Sequence, residues 1–216
     1  MLDAFFCILN KIMTLKIHPF FIFQILFHPM AVLRGVADSE LSASSVFFRL
    51  AVWLGLIPPL FAFIGATMFG WRLGAVEPIY LPAGTLIGIS IAYYVTLLFG
   101  FVSTALVSQW MATTYEATVA LGTHFALITV VGAPLVVGSV IHLFPHAFIN
   151  VLFLVPTLIW SMNLLYRGLP IALGTTPERG MLMASSLIGY LLVAMVSLLG
   201  LTVVLWGRGL GPAMAI

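Results

Sequence analysis

The chain has 216 residues, 62% hydrophobic and only 6% charged, and its 8 basic and 6 acidic side chains leave a formal net charge of +2. Soluble domains carry about 25% charged residues, so a water-soluble fold is excluded, and so few cations leave no footprint for nucleic acid. The single cysteine, Cys7, excludes an intrachain disulfide and a multi-cysteine metal site.

Residues 1–45 read as a cytoplasmic or interfacial segment. Asp3 falls where a secretory signal would be basic, and no small-residue cleavage site follows Phe5 to Leu9, so a cleaved signal peptide is not expected. Met13 is an alternative start to Met1. Ile17 to Phe27 is apolar for 11 residues, with Pro19 inside it and His28-Pro29 after it. That length suits a helix lying in the interface, with Lys11 and Lys16 reaching toward headgroups. Insertion of this segment is the alternative. The run Asp38-Ser-Glu-Leu-Ser-Ala-Ser-Ser45 predicts a polar linker and a helix cap.

Uncharged runs then define five membrane helices, an all-α bundle over residues 46–206. Leu50 to Trp71 is the first, 22 residues long, and Pro58-Pro59 predicts a kink or break within it. Pro78 to Tyr115 is uncharged for 38 residues and holds the second, at Gly84 to Gln109, with Trp110 at the far interface. Ala117 to Tyr166 runs 50 residues without Asp, Glu, Lys or Arg. A span needs about 20, so this run folds back, at His142-Leu-Phe-Pro145-His146. The third span lies near Val119 to Ile141 and the fourth near Ala147 to Tyr166. The fifth is Met181 to Trp206, followed by a short tail, residues 207–216. Lys11, Lys16, Arg34, Arg49, Arg167 and Arg179 fall on one side, against Arg72 and Arg208 on the other. That asymmetry predicts a cytoplasmic amino terminus and a non-cytoplasmic carboxyl terminus.

Few residues offer chemistry. Glu116 sits at the mouth of the third span, and His124, eight residues on, lies about 80° round the helix and two turns deeper. An acid and an imidazole on one flank could relay protons or bind a cation. The plainer reading has Glu116 hydrated and His124 bonded to a backbone carbonyl. His142 and His146, with Asn150 nearby, are too few and too poor a set for zinc, which wants three or four protein ligands, so hydrated interfacial histidines are expected. Gly84, Gly88 and Ala92 recur every four residues, a spacing that lets membrane helices approach closely, and are expected to pack inside the chain. Tyr93 and Tyr94 with Thr85, Ser90 and Thr96 either line a polar cavity or bond between helices. There is no Gly-x-Ser-x-Gly elbow, and the glycines from Gly207 to Gly211 precede no helix, so no catalytic, cofactor or metal site is expected.

Between the fourth and fifth spans, Gly168 and Pro170 predict the end of one helix, with Arg167 capping it against the helix dipole. Its guanidinium is expected to find freed carbonyls, Glu116 or Glu178. Thr176 predicts the cap of the next helix, with Pro177, Glu178 and Arg179 in its first turn. This is the loop with the charge and rigidity to present a partner site.

The same loop carries a resemblance. Leu164-Leu-Tyr-Arg-Gly-Leu-Pro-Ile-Ala-Leu-Gly-Thr-Thr-Pro-Glu-Arg-Gly180 resembles the signature of the bacterial branch of the Yip family, the Ypt/Rab-interacting-protein-type membrane proteins. Leu26-Phe-His-Pro-Met-Ala-Val-Leu-Arg-Gly-Val-Ala-Asp38 is similar to the entry segment of that branch, and Pro134 with Phe144-Pro145 to its central hairpin. The resemblance implies five membrane helices, a cytoplasmic amino terminus and no inherited catalytic residues. Eukaryotic members are tied to Golgi and ER vesicle traffic and to Rab-type GTPases, and the resemblance implies for them a long cytoplasmic amino-terminal region that is not expected in this chain. The expectation is a non-enzymatic protein of the bacterial inner membrane, an adaptor or membrane-organising factor whose partners are the lipid bilayer and a membrane or cytoplasmic protein. A small transporter or channel, proton-coupled through Glu116 and His124, is the alternative.

Overall fold

The computed structural model describes residues 24–38, 41–72, 74, 77–115, 117 and 119–208. Among them, a short helix α1 (Pro29–Ala37) precedes five long ones: α2 (Ala43–Phe69), α3 (Ala83–Ala112), α4 (Leu121–Leu143, its last turn 3₁₀), α5 (Ala147–Leu173) and α6 (Pro177–Gly207). Each of α2–α6 exceeds the roughly 20 apolar residues that cross a bilayer. The fold is all-α, with five helices of membrane-spanning length and composition.

Helix α4 is the axis of the bundle. Of its most apolar stretch 56% is buried inside the chain, against 6% for α3 and α6. It packs on α2, α3 and α5, while α6 rests on α5 and α3. Exposed Leu, Val, Ile and Phe on α3, α5 and α6 are therefore the lipid-facing surface.

Helix α1 is seated on this bundle rather than lying apart from it. Val32, Leu33 and Val36 are buried against α4 and α5. Gly168 makes room: a Cβ there would overlap the Leu33 side chain. Of the segment expected to lie in the interface, residues 17–23 fall outside the described residues, while residues 24–27 form a helical turn with Ile25 in the core.

Helix α2 begins where the polar linker predicts, with the Ser42 hydroxyl accepting from the Ser45 N–H at 3.2 Å. Of the kink or break expected at Pro58-Pro59, the break is absent: the helix continues to Phe69, and its π-helical turn lies upstream, at Phe47–Ala51. Both prolines are buried, so packing holds the helix through the two missing donors. The Tyr94 hydroxyl from α3 donates to the Val52 carbonyl at 3.0 Å, just upstream of the prolines.

Two further expectations fail. Helix α5 does not end at Gly168 and Pro170. Gly168 is a seat for α1, the Pro170 ring packs at the position of Gly180 on α6, and the helix runs to Leu173. The stop is Gly174, whose φ of 63° is the left-handed conformation that glycine adopts without steric cost. Gly84, Gly88 and Ala92 do not pack against any of the described residues of other helices. A Cβ at either glycine would meet nothing within 4 Å, and Ala92 is exposed. Helix α3 uses another face, carrying Leu86, Phe101, Thr104, Ala105, Ser108 and Ala112.

The far end of the bundle is tied by backbone. Trp71 and Ile79 exchange hydrogen bonds at 2.8 Å, and the Arg72 N–H and C=O bond Pro145 and Ala147 in the α4–α5 turn. Gly65 lets α2 touch this turn, since a Cβ there would overlap the His142 carbonyl.

Candidate functional site

Polar side chains gather in two places, on opposite ends of the bundle. The first is buried. His124, in the first turn of α4, is wholly enclosed, and its Nδ1 lies 2.8 Å from the Ser108 hydroxyl on α3. Its Nε2 is buried, with no partner among the described residues. The expected backbone carbonyl partner is thus replaced by a hydroxyl from a neighbouring helix. Glu116 lies outside the described residues.

Around this end, side chains tie α6 to its neighbours. The Tyr115 hydroxyl meets Ser186 at 3.2 Å and the Tyr166 hydroxyl meets Ser185 at 3.0 Å, while Thr175 Oγ1 donates to the Tyr115 carbonyl at 3.3 Å. Thr176 caps α6, its hydroxyl accepting from the Arg179 N–H at 3.4 Å. Arg179 is half-buried and partnered. Arg167 and Glu178 are exposed. Arg167 caps nothing, because α5 continues beyond it, and among the described residues it has neither hydrogen bond nor ion pair. Arg34 on α1 is likewise exposed and unpaired among the described residues. Leu33 and Gly168, the contact that seats α1, are the sequence neighbours of these two arginines.

The second cluster joins Tyr93, His142 and Asn150. The Asn150 amide nitrogen donates to the Phe144 and His146 carbonyls, both at 2.9 Å, which leaves its oxygen facing His142 Nδ1. That ring nitrogen therefore carries the proton, and Nε2, 3.3 Å from Tyr93, accepts from its hydroxyl. His142 is a bonded bridge rather than a hydrated interfacial histidine. His146 contributes its backbone, and its Nδ1 is buried with no partner among the described residues. Among the described residues no three His, Cys, Asp or Glu side chains gather as a metal would require.

This second cluster borders a cleft of about 590 Å³. Its walls are Ala62, Phe63 and Ala66 from α2, Leu86 and Ile89 from α3, and Leu199 from α6, with Arg72 also on its lining. Along α3 it runs from Leu86 to Tyr93, roughly 10 Å at 1.5 Å per residue. The hydrocarbon core is about 30 Å thick, so the cleft lies within one leaflet.

Two members of these clusters were not visible as such in the sequence. Ser108 carried no signal, because its partner lies on another helix. Arg72 counted only as a charge on the far side.

The Yip1 domain family model matches residues 23–198. The chain belongs to the Yip1 domain family. That match covers α1, α2–α5 and most of α6, so the seat of α1 on the bundle lies within the family's domain. The chain is also similar to the inner membrane protein YohC of Escherichia coli, in strains K12 and O6:H1, at 28% identity over 182 residues, 84% of this chain and 93% of the relative. No solved structure gives a significant match.

Proposed function

We propose that this Yip1-domain protein is a non-enzymatic adaptor or organising factor of the bacterial inner membrane, and that it offers the end formed by α1 and the α5–α6 connection to a protein partner. The inner-membrane assignment draws on its similarity to YohC. The Lys/Arg asymmetry supports placing this end in the cytoplasm. The observation that carries the reading is Arg167: an exposed guanidinium, unpaired among the described residues, next to the glycine on which α1 sits. A cation that does not cap its helix and has no partner among the described residues is available to a partner, and Arg34 adds a second. An acidic segment of a cytoplasmic or membrane protein fits that chemistry.

The test is recovery of partners from native membranes by in-membrane crosslinking of the full-length protein. Arg34→Ala with Arg167→Ala is expected to insert and fold normally and to lose the partners that the parent protein captures. An unchanged set of partners would overturn the proposal. Reporters after Ile216 and near Thr175 are expected to read non-cytoplasmic and cytoplasmic respectively; the reverse would move the partner to the other side.

One observation favours a second reading, a small proton-coupled transporter: the unpartnered Nε2 of His124. Against it, His124 does not line the cleft.

A further inference from the structure

The cleft beside Tyr93 combines three features. Its walls are apolar side chains from three helices, its polar groups Tyr93, His142 and Asn150 are bonded to one another, and its lining includes a cation unpaired among the described residues. Asn150 gives both amide hydrogens to carbonyls, His142 uses both ring nitrogens, and the Thr202 hydroxyl donates to the Leu198 carbonyl at 2.8 Å. A hydrogen-bonding solute would therefore find most of these groups engaged and would lose its own hydration on entry. An acyl chain loses nothing there.

Ser90 has no partner for its hydroxyl among the described residues, and Arg72 is the one formally charged side chain on the described lining. Its backbone is fixed between Pro145 and Ala147, its side chain is exposed, and among the described residues it has no hydrogen-bonding or ionic partner for its guanidinium. Guanidinium groups pair well with phosphate oxygens because their donors form a planar fork. Trp71 beside it is a residue type favoured at the headgroup level. A volume of about 590 Å³ falls within the roughly 300–1,000 Å³ typical of small-molecule sites.

We propose that this cleft binds a phospholipid with an anionic headgroup from the leaflet nearer Arg72, one acyl chain lying between α2, α3 and α6 and the phosphate on the Arg72 guanidinium. This goes beyond the adaptor reading and does not depend on it, because it concerns the opposite end of the bundle. Charge complementarity selects the occupant. A zwitterionic lipid offers the same chain and less net charge. A second copy of this protein would have to insert a side chain into a cleft that runs along the helices within one leaflet.

The test is native mass spectrometry of the full-length protein released from nanodiscs containing phosphatidylglycerol and phosphatidylcholine in equal amounts, with oleic acid added in a parallel sample. The parent protein is expected to retain phosphatidylglycerol preferentially. Arg72→Gln should reduce that preference about fivefold, the factor expected from one cation near a charged membrane surface. Leu199→Trp introduces bulk from an exposed position, so folding is preserved while the cleft is filled, and it should reduce retention of both lipids. Equal retention of the two phospholipids by the parent protein, retention of oleic acid in their place, or unchanged occupancy in Leu199→Trp would each overturn the proposal.

Discussion

The two ends of the bundle solve the same problem in different ways. Near α1, polar side chains are buried in a filled interior: His124 has Ser108 on one nitrogen, close packing around it, and α1 seated across the neighbouring helices. Near Arg72, polar side chains sit beside a cleft and satisfy one another through a chain from Tyr93 to His142 to Asn150 to two carbonyls. Both arrangements pair most of their polar groups, since an unpaired one in hydrocarbon is costly, and each leaves one ring nitrogen unpaired among the described residues, His124 Nε2 in the first and His146 Nδ1 in the second. The first leaves free charge only at its surface, whereas the second leaves space as well. The first therefore suits an encounter with another macromolecule, and the second suits a ligand that enters the fold.

Substitutions can break this comparison, beginning with the largest expected effect. Gly65→Ala forces a methyl into the backbone of the α4–α5 turn, where no side chain can rotate away. We expect a loss of about 1–3 kcal/mol, the scale of overpacking, together with loosening of the Arg72 end, read as lower thermal stability in detergent and faster hydrogen exchange over Trp71 to Ala147. Unchanged stability would mean that α2 does not touch that turn. Ser108→Ala strands the second nitrogen of His124 and should cost about 1–3 kcal/mol. Adding His124→Leu should recover part of that loss, because an apolar pair leaves nothing unsatisfied. A double-mutant cycle checks this, and purely additive losses would show that the two residues do not interact.

Asn150→Ala removes the bridge at the other end and frees a ring N–H, while the Phe144 and His146 carbonyls keep their backbone N–H partners. With one half-buried group left unpaired rather than a fully enclosed one, the expected loss is smaller, about 0.5–1.5 kcal/mol. A loss larger than that of Ser108→Ala would reverse the contrast between filled and open ends. Smallest is Thr176→Ala. Its cap bond is exposed and long, 3.4 Å, so a loss near the lower limit for caps, about 0.5 kcal/mol, is expected in the same thermal assay. A loss comparable to that of Gly65→Ala would show that the α5–α6 turn supports the fold far more than its exposed geometry implies.

The five spans were legible because charge in hydrocarbon is costly, and uncharged runs therefore mark membrane crossings without reference to tertiary structure. The caps at Ser42 and Thr176 were legible for a similar reason: capping is local, and its residues lie within one turn. The errors share one cause. Gly168 and Pro170 look like helix terminators, yet Gly168 is small to admit Leu33 and Pro170 packs at the position of Gly180. Pro58-Pro59 looks like a break, yet burial keeps the helix continuous. Gly84, Gly88 and Ala92 carry a packing spacing, but spacing does not say which neighbour a helix face meets, and among the described residues it meets none. For the candidate sites, residue type was legible and pairing was not. His124 and Arg167 stood out as polar residues near hydrocarbon. Ser108, and the place of Arg72 on a cleft, emerged only once α2, α3, α4 and α6 were set side by side.

The contrast between a closed and an open end is tested most directly by thiol accessibility in the folded protein, delipidated in detergent. In a Cys7→Ser background, Ser90→Cys places a thiol on the cleft and Ser108→Cys places one in the filled interior beside His124. With N-ethylmaleimide, Ser90→Cys is expected to label in the folded protein and Ser108→Cys only after denaturation. Equal labelling of the two in the folded state would mean that the interior around His124 is as open as the cleft, and would contradict the account at its centre.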